Sequence, residues 1–141
     1  MSGVLKNILE TGRHLDYTYY ITHSDLGFRC GYVSLPPGHP WTAPGVDLFD
    51  IDVHGDVTFD DDDPLIKNNY LVGFDCGHSG DAPDPELVFT SVNLFAGGII
   101  RSQEYVRAEC FKLIEQAEAA VTFRDRIKMV LKIDRRKIIK E

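Results

Sequence analysis

No stretch of this 141-residue chain approaches the roughly 18 consecutive apolar residues that a membrane-spanning helix needs. The opening MSGVLKNILE also lacks the apolar core and small-residue cleavage site of a secretory leader, so a cytosolic protein is expected. Cysteine is scarce. Cys30, Cys76 and Cys110 are too few and too scattered for a disulfide framework and are read as thiols. The two spacings that most clearly announce zinc, CxxC and HExxH, are both missing. There is no internal repeat and no long linker, and a 43% hydrophobic content fills one modest core. A single α+β domain over residues 1–120, followed by a basic amphipathic helical extension over 121–141, is the organisation this implies.

Positive charge is sparse over most of the chain. The net charge is −7, yet Arg124 to Glu141 holds eight Lys or Arg against three acids, so the tail is +5 and the remaining 123 residues are −12. An acidic body repels phosphate backbones and argues against a general nucleic-acid binder. The basic tail is expected to present a solvated face, or to dock on the acidic body of its own or a neighbouring chain.

Tyr17 to His23 and Phe28 to Leu35 are rich in aromatic and β-branched residues, and Ser24 to Gly27 supplies turn chemistry, which predicts a hairpin. Four prolines in PPGHPWTAPG (Pro36 to Gly45) force an ordered loop. Strands are predicted over Leu48 to Val53 and Val57 to Phe59 around a His54-Gly55-Asp56 turn, over Tyr70 to Cys76, and over Val88 to Asn93. The stretch DDDDP (Asp60 to Pro64) is a run of like charge that should be exposed. From Ser102, a plausible N-cap, Val106, Cys110, Leu113, Ile114 and Ala117 form one helical stripe, and Ile127, Val130, Leu131, Asp134 and Ile138 form a second. Strands first and helices last predict a small antiparallel sheet packed by a long C-terminal helix.

Chemistry concentrates in three glycine-bearing loops, each with one histidine: Gly38-His39-Pro40-Trp41, Asp52-Val53-His54-Gly55, and GFDCGHSGD (Gly73 to Asp81). Three readings compete. A tetrahedral zinc site would draw on His39, His54, Cys76 and His78. An acid/base enzyme would use His54 and His78 with Asp75 or Asp81 orienting a ring, acting on a nucleotide or another phosphoester. A binding pocket would place Tyr32, His39, Trp41, His54 and His78 around a ligand, with Asp81 beside them and Gly55, Gly77 and Gly80 letting backbone N–H groups come close. Cys76, at the end of a strand, reads as a packing residue rather than a nucleophile.

The ordered strings GYVSLPPGHPW, DVHGDVTF, GFDCGHSGD and EYVRAECFKLIEQ resemble a family of small phage and prophage proteins whose pattern is GYVxxPxGHP, VHGGLT, GFDCxHxGD and a terminal helix with YVxxE. The likeness covers about Gly31 to Gln116. Asp56 and Val57 stand where the pattern has Gly-Leu, and residues 121–141 run past its usual end. The resemblance brings a context without an established activity. It implies an anti-defence protein of the host cytoplasm that sequesters a small nucleotide-derived immune signal without turnover, as a homo-oligomer and without a cofactor. The ligand would be anionic, so Arg29, Arg101 and Arg107 become candidate donors, Arg101 foremost beside the loop residues above. The enzyme reading stays open, as does an acidic inhibitor that binds a host defence protein through its aspartate-rich surface.

Overall fold

The computed structural model describes residues 3–88 and 97–140, with side chains up to residue 132. Its centre is a five-stranded antiparallel sheet in the order β1-β2-β3-β5-β4, packed on one face by a single long helix. This is the predicted α+β arrangement. The strands are β1 (Ile8–His14), β2 (Tyr17–His23), β3 (Arg29–Leu35), β4 (Phe59–Asp62) and β5 (Tyr70–Asp75). A two-residue parallel ladder joins β6 (Asp81–Ala82) to β7 (Ile99–Ile100), and helix α1 spans Gln103–Lys140. No helix among the described residues is long and apolar enough to cross a membrane.

The predicted hairpin forms as β2 and β3, in register from Tyr19 opposite Val33 to His23 opposite Arg29. The two-residue alternation of side chains puts Tyr17, Tyr19 and Ile21, with Val33 and Leu35, on the face that meets α1. The helical stripe is as the periodicity requires: Val106, Cys110, Leu113, Ile114 and Ala117 are all fully buried. Burying a side chain of this size contributes roughly 1.5–3 kcal/mol for the larger members, so this stripe holds the layers together. Ser102 caps the helix, its hydroxyl accepting from Tyr105 N at 3.1 Å. The two amphipathic segments of the sequence are consecutive parts of this one helix.

Three elements depart from expectation. β1 is a strand although nothing in ILETGRH reads as one. It is an outer strand joined to β2 through Leu15 and Asp16, both at positive φ (48° and 67°), which suits the right-handed twist of a two-residue hairpin. The acidic run is exposed as expected at Asp60, Asp61 and Asp62 but buried at Asp63, and its first three residues lie in edge strand β4 (Phe59–Asp62), which among the described residues pairs only with β5. Leu48 to Val53 is not a strand; its backbone is irregular while Leu48, Ile51 and Val53 fill the core. Beyond Val88, the strand expected over Val88 to Asn93 lies outside the described residues.

Outer strand β1 is bound to α1 by one carboxylate. Glu10 accepts from Arg107 Nε at 2.7 Å and Nη2 at 2.5 Å, from Gln103 at 2.9 Å and from Tyr19 at 2.7 Å. The Arg107 hydrogen bonds are the main reason its pKa falls from 4.5 to about 2; burial opposes them, and Gln103 and Tyr19 assist. Because the folded pKa is depressed, this stabilisation is present above pH 4.5 and is lost as the pH falls toward 2. Partial exposure screens the pair, so we expect Glu10→Gln to cost about 1–2 kcal/mol at neutral pH. Urea denaturation across the acid range should show a flatter acid limb in the variant; an unchanged limb would refute the assignment.

Candidate functional site

The GFDCGHSGD segment runs out of β5 at Asp75, turns through Gly77 to Gly80, and re-enters the fold as β6 at Asp81. Gly80 sits at φ 90°, a left-handed conformation suited to glycine, and Asp81 N closes the turn on His78 O at 3.0 Å. The turn aims Asp81 inward, where its side chain is 1% exposed.

A buried carboxylate must be saturated, and Asp81 is. Oδ2 accepts from His54 Nε2 at 2.9 Å and from the His78 backbone N–H at 3.0 Å, while Oδ1 accepts from Arg101 Nε at 2.8 Å. Burial alone would raise this carboxyl, but the bonds from His54, Arg101 and His78 together outweigh it and hold the pKa below the ordinary aspartate value. The other ring nitrogen of His54, Nδ1, lies 2.8 Å from Tyr105 Oη. The loop below is fixed as well, since His54 N donates to Glu109 Oε1 at 2.8 Å. The result is a line from Tyr105 through His54 to Asp81 to Arg101, with the Arg101 guanidinium 5.2 Å above the Tyr105 ring. Burial, then the neighbouring Glu109 charge, raises the Tyr105 pKa, so the phenol keeps its proton near neutrality.

His78 occupies a different position. Its Nε2 is buried 3.1 Å from Asp75 Oδ1, an ion-pair distance, but makes no hydrogen bond among the described residues. The ring stands against Gly55, whose φ is 65°; a Cβ there would fall 2.3 Å from the imidazole. Gly55 is therefore required twice, by its backbone and by His78. The His54 and His78 ring centres are 6.2 Å apart.

Beside this network lies an open cleft of about 400 Å³, lined by Gly77, His78, Ser79, Gly80, Asp81, Gly97 and Gly98. Four glycines leave the backbone unshielded there. Arg29 fastens the rim, its Nη1 lying 3.0 Å from Asp84 Oδ2 and donating to Arg101 O at 3.0 Å.

No known protein family, curated protein or solved structure matches this chain.

Of the three histidines expected to converge, the structure brings together His54 and His78. His39 is elsewhere: it is 3% exposed, its Nδ1 accepts from Trp41 N at 3.0 Å, and its Nε2 meets Ala117 O at 2.9 Å. It caps the short Pro40–Thr42 helix and clamps the proline-rich loop onto α1. Burial is the main cause of its lowered pKa. Ala117 lies twelve residues along α1 from Tyr105, about 18 Å at 1.5 Å per residue. Trp41 is a core residue beside His39. Tyr32 is on the far side of the sheet: Gly31 abuts Cys110 of α1, so the alternating Tyr32 points away, against Gly73 and Phe59.

The four candidate zinc ligands are thus not gathered at one point, and no metal-holding cluster of His, Cys, Asp or Glu occurs among the described residues. Cys76 is 2% exposed and burial pushes its thiol up to about 12, which makes it a packing residue. Arg107 is committed to Glu10, whereas Arg101 is bonded to Asp81, which lines the cleft.

Sequence reasoning missed Tyr105 and Glu109. Both precede a buried position, Val106 and Cys110, by one residue and lie four apart, so they share the edge of the buried stripe. That spacing was the available signal.

Proposed function

We propose that this chain binds a small anionic, nucleotide-derived ligand at the Gly77–Asp81 cleft and holds it unchanged, as a phage-encoded protein sequestering an immune signal in the host cytoplasm would. The phage motifs supply the context. One observation carries the choice of binding over turnover: both ring nitrogens of His54 and both oxygens of Asp81 are spent within the fold. The groups best suited to acid/base work act instead as a brace. What they brace is a glycine loop with accessible backbone, lined by His78 and by Asp81, whose partner Arg101 bonds it through Nε and keeps its outer guanidinium nitrogens out of that bond. A phosphate seated there would meet a fork-shaped donor already held in place.

The test is a panel of linear and cyclic nucleotides, followed by calorimetry and by mass spectrometry of ligand released on denaturation. Binding with the ligand recovered intact is expected, and conversion would overturn the non-turnover reading. Arg101→Lys keeps a cation near Asp81 but loses the fork, and should weaken binding roughly tenfold with little loss of stability. His78→Ala should do the same, since its Nε2 makes no hydrogen bond among the described residues and its contact with Asp75 is a partly exposed pair. Equal affinity in both variants would place the ligand elsewhere.

The aligned Tyr105–His54–Asp81 hydrogen bonds favour one second reading, a small enzyme in which Tyr105 passes a proton to or from a phosphoester. Tyr105→Phe keeps the ring and removes the hydroxyl. It would abolish conversion under the enzyme reading and leave binding intact under the first.

A further inference from the structure

Helix α1 outruns the domain it covers. Arg124 still touches the body, donating to Gly38 O at 2.7 Å, but residues 125–132 are all exposed. Their surface is not what a free helix in water carries. Phe123 is 66% exposed, Ile127 44%, Val130 57% and Leu131 56%. At about 100° per residue these four fall on one stripe, roughly a quarter turn round from the Val106–Ala117 stripe that faces the sheet. A continuous helix therefore cannot bring them onto its own sheet. Arg126 and Lys128 lie on either side of the stripe.

The complementary surface lies on the body. Seven exposed aspartates, at 47, 50, 52, 56, 60, 61 and 62, crowd the stretch from the proline loop to edge strand β4. Among them Phe49 is 75% exposed and, with Val46, Asp47, Asp56 and Asp60, lines a groove of about 250 Å³. One surface is basic around an apolar stripe and the other is an acidic groove with one exposed phenylalanine at its side. Exposed apolar surface of this kind marks an interaction site.

We propose that the protruding half of α1 docks in this acidic groove of a second copy of the chain. Charge selects the arrangement. Pairing two tails of +5 side by side would oppose like charges, whereas a +5 tail on a −12 body joins opposite ones. If each copy inserts its helix into the other, the contact is self-complementary and closes as a dimer. This contact is independent of the ligand cleft and of its reading.

Native mass spectrometry and light scattering on the full chain should show a dimer that dissociates as salt is raised. Phe123→Glu with Ile127→Glu alters only exposed positions, so the fold should persist by circular dichroism while the dimer dissociation constant rises at least tenfold. Asp47→Lys with Asp60→Lys should do the same from the groove side. Mixing that variant with Arg126→Glu/Lys128→Glu should restore a heterodimer through swapped charges. A monomeric wild-type chain would overturn the proposal. So would a dimer indifferent to the groove variants, which would indicate helix-to-helix pairing, or a nuclease-sensitive complex, which would make nucleic acid the occupant of the basic helix.

Discussion

Asp81→Ala should be the most destabilising single substitution at the site, at about 2–4 kcal/mol. Removing one partner of a fully buried ion pair usually costs more, roughly 3–5 kcal/mol, because the other charge is stranded. One feature reduces the cost here. The Arg101 side chain is 23% exposed and can turn to water. What cannot be recovered is the fastening of three separate segments, since Asp81 ties the His54 turn, its own loop and the start of α1 to one carboxylate. Asp81→Asn should fall between the two, because the amide keeps one acceptor for donors that now need two. Removing exposed Asp25, whose contact is a surface pair with Lys6 at 3.5 Å, should change stability by less than about 0.5 kcal/mol. Urea midpoints for the three variants decide the matter; if Asp81→Ala unfolds with the Asp25 variant, the carboxylate is not the brace described.

How far the sequence discloses this architecture depends on how local each signal is. The α1 stripe is legible because five residues at helical spacing must all leave water together. The hairpin of β2 and β3 is legible from β-branched and aromatic runs on either side of a turn. β1 is not, because its turn uses Leu15 at positive φ, a conformation a leucine seldom takes, and its residues carry no alternation strong enough to read. β4 escapes because aspartate is a poor strand former. Pairing with β5 overrides that preference where the side chains remain in solvent. At the site, the loop chemistry of GFDCGHSGD is visible, but the partners are not. His39 and His54 look alike in sequence, each beside a glycine; one is captured by Ala117 and the other by Tyr105, and those contacts span 78 and 51 residues. Which histidine reaches the cleft is a property of where each loop meets α1.

That dependence on the seating of α1 makes Gly31→Ala the second large effect we expect, at about 1–3 kcal/mol of destabilisation. Gly31 lies in the centre of β3, paired with Ile21 and Phe74, and it has ordinary strand backbone, so conformation is no obstacle. Relieving glycine's entropy would even favour alanine by roughly 0.5–1 kcal/mol. Space decides against it. A Cβ at Gly31 would lie 2.5 Å from the Phe74 ring and 2.7 Å from Cys110 Sγ, and neither side chain can withdraw, being 1% and 0% exposed. The sheet and helix must part. Because Cys110 lies five residues beyond Tyr105, the same displacement should loosen the Tyr105–His54 bond and weaken ligand binding along with stability. Adding Cys110→Ala to the variant removes the sulfur at the point of contact. The pair should then lose less than the sum of the two single changes, a coupling that a double-mutant cycle reads directly. If the losses simply add, the crowding at Gly31 is relieved elsewhere and the close approach of β3 to α1 does not set the position of the site.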